Sequence, residues 1–180
     1  MKTEKKKEID ENVVYMRIGM AMASIQRVEF VSKKLVEYLI EFDKEFFGFT
    51  SKEFEKKSPN IDKLEKYTLG NTLRLLKLNP KLSIDSEFDK YRDLRNSFTH
   101  NFWTHYLNTK SEQQKKDAID FCFKIGIFSQ KMESFLKGFT YLLALRFVKD
   151  KYHLAPEIKE LDNDFNFFMN ALDQKTFDIK

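Results

Sequence analysis

The chain is short of the residues that interrupt or staple a fold: among 180 residues there are 5 Gly, 3 Pro and 1 Cys. A single thiol, Cys122, excludes an internal disulfide, and no Cys/His pair stands at zinc-ligand spacing. A reduced compartment, the cytoplasm, is therefore expected. So few turn formers cannot serve the many connections of a sandwich or barrel, whereas 33% charged and 42% apolar residues suit long amphipathic helices. Long apolar runs are missing too. Phe121 to Phe128 is broken by Lys124, and Phe135 to Val148 by Lys137 and Arg146, so no membrane span is expected. Met1 to Asn12 is charged and lacks the apolar segment of a signal peptide. Nor does charge of one sign dominate: 32 basic and 28 acidic side chains sum to +4, which confines any nucleic-acid surface to a local patch. Gly-rich phosphate loops, nucleophile settings and spaced carboxylate pairs do not occur.

What is present is helical periodicity. Glu11 to Phe47 carries Val14, Ile18, Ala21, Ile25, Val28, Leu35, Leu39, Phe42 and Phe46 on one stripe, which predicts a helix about 55 Å long that Gly48 ends. Thr50-Ser51-Lys52-Glu53 has the form of a capping box for a short polar helix closed by Ser58-Pro59, and Thr68 is placed to cap a helix ending before Asn79-Pro80. Asp85 or Ser86 starts a helix to about Asn108. Ser111 to Lys151 is helical in pattern, with Gly126 and Gly138 as places to bend, and Pro156 opens a last helix to about Leu172. The expected architecture is all-α: one bundle of about five helices with a long first and a long fourth, over residues 11–180, behind a flexible tail at 1–10. The helices from Glu11 and from Asp85 carry the clearest apolar stripes and are expected to pack on each other.

Chemistry concentrates in Tyr91 to Trp103. This stretch holds the only Trp, two of six Arg and one of three His. On a helix of about 100° per residue, Phe88, Tyr91, Leu94, Phe98 and Phe102 share one arc with Arg95 at its edge, where a charge must be paired or used. Arg92, Asn96 and His100 form a polar stripe on the other side. Arg95 and His100 lie about 140° apart on that wheel. Either the helix ends between them, or two copies of the chain bring the pair together. Glu29 is the matching oddity on the first helix, a carboxylate beside Ile18, Met22 and Val36 that calls for a cationic partner, with Arg95 a candidate. His100 and His105 lack a third ligand nearby, so no metal is assigned. Phe98, Phe102, Trp103 and Tyr106 form an aromatic cluster that could stack on bases, although aromatics at helical spacing are far more often core.

Arg95-Asn96-Ser97-Phe98-Thr99-His100, an Arg followed by a polar residue and, after four positions, by His, resembles the signature of the HEPN superfamily of all-helical domains. Thr68-Leu69-Gly70-Asn71-Thr72-Leu73 also looks like a segment of bacterial HEPN families, and the likeness covers most of Glu11 to Lys151. Arg146 to His153 fits the bare spacing as well, without the Asn or the aromatic helix. The resemblance implies a metal-independent, cofactor-free endoribonuclease of toxin–antitoxin or phage-defence type, working as a homodimer, with RNA as substrate and an antitoxin protein as candidate partner. It implies Arg95, Asn96 and His100 as the catalytic set, with Arg92, Thr99 and Trp103 touching substrate and Glu29 as a supporting ion pair. An imidazole can take a ribose 2′-OH proton near neutral pH, and a guanidinium can hold charge building on phosphate. The alternative is a non-catalytic HEPN-like regulatory or binding module, similar to mannitol operon repressor-like proteins, in which the motif is structural.

Overall fold

The computed structural model describes residues 8–43, 51–79 and 81–178, and the side chains of Phe42 and Asp43 are not among what it describes. The chain is all-α. Its helices are α1 (Glu11–Tyr38), α2 (Lys52–Lys57), α3 (Ile61–Leu64), α4 (Leu69–Lys77), α5 (Asp85–Asn96), α6 (Phe102–Tyr106), α7 (Glu112–Ala144), α8 (Pro156–Lys159) and α9 (Asp162–Gln174). A π-helical turn, Leu39–Asp43, continues α1, and a second, Ser97–Asn101, joins α5 to α6. Five of the helices reach nine residues, α1, α4, α5, α7 and α9, and the fourth of these is the longest at 33. Among the described residues no helix is long and apolar enough to cross a membrane.

α1 and α7 form the parallel spine. Ile9 pairs with Glu112, Arg27 with Glu133, and Tyr38 meets Phe147, so the two helices ascend together. α5 and α6 run down α7: Phe88 packs on Phe135, Tyr91 on Phe128, and Phe98 and Tyr106 on Phe121. α9 runs down its other side through Tyr141–Phe165, Phe139–Phe168 and the Lys131–Asp178 ion pair. The motif helix thus rests on α7 and not chiefly on α1 as its stripe predicts; it meets α1 in a shared core of Val14, Ala21, Ile25, Phe98, Phe102, Ala118 and Ile125. Phe135 is fully buried in the second core with Phe88, Phe168 and Phe177, and burial of such a side chain stabilises by about 2–3 kcal/mol.

Local side-chain caps open four of the nine described helices. Asp10, Ser51, Thr68 and Ser111 each accept a backbone N–H two or three residues on, so each caps a helix. Ser51 caps α2, one residue later than the box starting at Thr50 predicts; Thr50, like Gly48 and Phe46, lies outside the described residues. α5 begins at Asp85 with Ile84 at the cap position and no side-chain cap. The last helix is split into α8 and α9. α7 runs on through both glycines, and Gly138 has a different purpose from bending: a Cβ there would stand 2.3 Å from the carbonyl oxygen of Asp164 and 2.4 Å from Cβ of Phe168. Only hydrogen lets α9 cross so close. At the other end, Ile9 donates to Glu112 and accepts from Lys115 Nζ, which ties residues just before α1 onto α7.

Candidate functional site

The helix bearing the motif neither ends nor stays α-helical. Its ladder widens at Ser97–Asn101, and within this turn Thr99 Oγ1 donates to the Arg95 carbonyl at 2.9 Å and approaches the Asn96 carbonyl at 3.4 Å. In an i→i+5 turn a residue five positions on completes about one turn, as a residue four on nearly does in an α-helix. The angle of about 140° between Arg95 and His100 expected of a straight helix therefore narrows within a single chain. Such turns recur at functional sites.

Arg95 is half-buried, and its Nε is buried without a hydrogen-bond partner. Its Nη1 reaches Asn96 Oδ1 at a long 3.4 Å. Glu29 does have a cation, but it is Lys33, one turn along its own helix, at 3.0 Å. The carboxylate is thus served locally, and the expected Glu29–Arg95 ion pair does not form. Arg92 is engaged: it bonds Asp89 and Asp93, each at 3.0 Å. Lys77 on α4 holds the other oxygen of Asp89 at 2.8 Å, and this hydrogen bond, with Arg92 adding charge, keeps the Asp89 carboxyl below the usual range.

Lys77, Asp89, Arg92, Arg95 and Asn96 line one cleft of about 540 Å³ between α4 and α5. Its walls carry Arg74, Lys77, Arg92 and Arg95 against Asp85 and Asp89, two more cations than anions, with Asn71 and Asn96 as neutral polar groups. Of the sequence-predicted residues, Arg92, Arg95 and Asn96 meet here, while Thr99, His100 and Trp103 are exposed on the turn and helix beyond, outside its lining. Trp103 is 56% exposed, too open for a core residue of its size. The competing spacing fares differently: His153 sits on a short 3-10 turn with Nδ1 held by Asp150 at 2.9 Å. Sequence reasoning missed Arg74 and Lys77. Both sit on the polar side of α4 immediately after the Thr68–Leu73 segment, and only the packing of α4 beside α5 joins them to the motif.

Beneath the cleft the support is buried. Tyr91 Oη and Ser129 Oγ hydrogen-bond at 3.0 Å, and burial pushes the phenol up to about 12. Cys122 is buried and its thiol is pushed up to about 11 by burial, which leaves little thiolate for chemistry. Among the described residues no group of three or more His, Cys, Asp or Glu is placed to hold a metal ion. No protein-family model matches the chain, and no curated protein or solved structure matches it either.

Proposed function

We propose that the protein is a metal-independent endoribonuclease of HEPN type, as Arg95-Asn96-Ser97-Phe98-Thr99-His100 suggests. The observation that carries the reading is Arg95: a half-buried guanidinium with an unpartnered Nε, on the wall of a cationic cleft, at the head of the wide turn that bears His100. Arg17 Nε on α1 is likewise buried without a partner, and such a donor costs about 1–3 kcal/mol. It is therefore the place of Arg95 on the cationic cleft wall beside the motif turn, and not the missing partner alone, that supports the reading. In the proposed reaction His100 removes the ribose 2′ proton, and the 2′ oxygen attacks the adjacent phosphorus. The bond to the 5′ oxygen breaks, that oxygen takes a proton from solvent, and a 2′,3′-cyclic phosphate remains. Arg95 holds the equatorial phosphate charge as it grows, Asn96 orients the phosphate or His100, and Arg92, Thr99 and Trp103 flank the strand.

Two copies with their His100 side chains near a common axis belong to the same proposal, as does an antitoxin protein that covers the site. Exposed Trp103, three residues past His100, supports a partner at this surface, whereas the wide turn removes part of the geometric need for one. One observation favours the non-catalytic alternative: His100 does not line the cleft that Arg95 lines. Cleavage of single-stranded RNA with EDTA present separates the readings. His100→Ala is expected to lose roughly 10²- to 10⁴-fold, and Arg95→Lys most of the rate, since ammonium lacks the planar bidentate contact. Folded variants that cut at the wild-type rate would remove the motif from catalysis.

A further inference from the structure

The cleft contains more cationic capacity than one scissile phosphate needs. Lys77 and Arg92 are committed to Asp89, but Arg74, exposed on the α4 wall, has no ion-pair partner among the described residues, and the Arg95 guanidinium on the α5 wall makes only a long 3.4 Å bond from Nη1 to Asn96. The volume of about 540 Å³ lies in the range of a small-molecule site and far exceeds what one phosphate group fills. The α4 wall begins with Thr68, Gly70 and Asn71. Thr68 Oγ1 is turned inward to accept the Asn71 N–H, and a Cβ on Gly70 would meet only that oxygen, at 3.9 Å. The wall at position 70 is therefore open, with room for an occupant beside the backbone.

We propose that this cleft is a nucleotide subsite for a single RNA strand, in which Arg74 binds the backbone phosphate next to the one held by Arg95, and Gly70 gives the intervening nucleotide its room. Asn71 and Asn96, amides on opposite walls, flank that nucleotide. The proposal rests on the ribonuclease reading for the identity of the strand, but its test does not pass through cleavage.

The probe is a fluorescent 2′-O-methyl octaribonucleotide, which lacks the hydroxyl that cleavage requires, titrated with the full chain by anisotropy across a range of KCl. Arg74→Gln is expected to weaken binding about tenfold and to flatten the slope of log K against log salt by about 0.7, the value of one phosphate contact on a single strand. Gly70→Leu changes no charge and is expected to weaken binding with the slope retained. Lys159→Gln, on exposed α8, changes neither. Folded Arg74→Gln and Gly70→Leu proteins that bind the oligomer as wild type does would overturn the subsite, even if His100→Ala is inactive. Competition by AMP as strong as by the oligomer would overturn the strand and make the occupant a free nucleotide. If instead His100→Ala still cuts RNA while Arg74→Gln binds poorly, the motif chemistry fails and the subsite stands.

Discussion

The two sides of α7 are built differently. Toward α9 it offers Phe135, Phe139 and Tyr141 to Phe168, Phe177 and Phe165, with Gly138 letting backbone approach backbone. Toward α5 it supplies the same kind of apolar floor, through Phe121, Phe128 and Phe135, but the helix on that floor widens into a π turn and carries a guanidinium whose Nε has no partner. On one side each unusual residue is explained by packing. On the other, packing does not account for the wide turn or for the unsatisfied Nε of Arg95.

Gly138 gives the strongest way to test the first half of that contrast. Gly138→Ala should destabilise by about 3 kcal/mol or more, because the added carbon meets backbone that cannot swing aside. Gly126, on the same helix, meets nothing within 4 Å, so Gly126→Ala should stabilise by about 0.5–1 kcal/mol through helix propensity. Thermal melting of the two variants reads the opposite signs, and equal effects would end the distinction between a packing glycine and an idle one.

Arg95 tests the second half. Arg95→Met should fold as well as wild type or gain about 1 kcal/mol, since it removes a buried donor that nothing satisfies. A loss of roughly 3–5 kcal/mol would instead mean that the guanidinium is structural. Tyr91 bears on the floor that both halves share. Tyr91→Phe should cost about 1 kcal/mol by leaving the Ser129 hydroxyl alone, and it should also change the alkaline limit. The folded phenol titrates at about 12 against an ordinary 10.0, so the folded state holds this proton more tightly. Its contribution is complete below pH 10 and is lost as pH rises toward 12. Cys122, raised from 9.0 to about 11, starts the same loss earlier. Urea melts between pH 8 and about 12 should show wild type falling more steeply than Tyr91→Phe; parallel curves would mean that the phenol is not the group responsible.

Much of this could be read along the chain, because helix caps and apolar stripes are local. Thr68, Ser111 and the Val14 to Leu39 stripe act within a few residues of themselves, and they sit where their spacing predicts. The motif was legible as residue types in a row. Its shape was not, since a wheel of fixed pitch cannot foresee a turn that widens at Ser97–Asn101. Glu29 was legible as needing a cation, and Lys33 at i+4 was available locally, so the distant Arg95 was not required.

The sequence by itself determined that the chain is helical, where most helices start, and that Arg95 and His100 share one short segment, because each depends on neighbours within a turn or two. Which helices touch was decided only in the tertiary structure. α7 is the common floor for α1, α5 and α9, Gly138 is a contact and not a bend, and Arg74 comes to face Arg95 across a cleft from a helix about twenty residues earlier. Those outcomes depend on how large apolar faces divide one another's surface, a competition among distant segments that no single periodicity records.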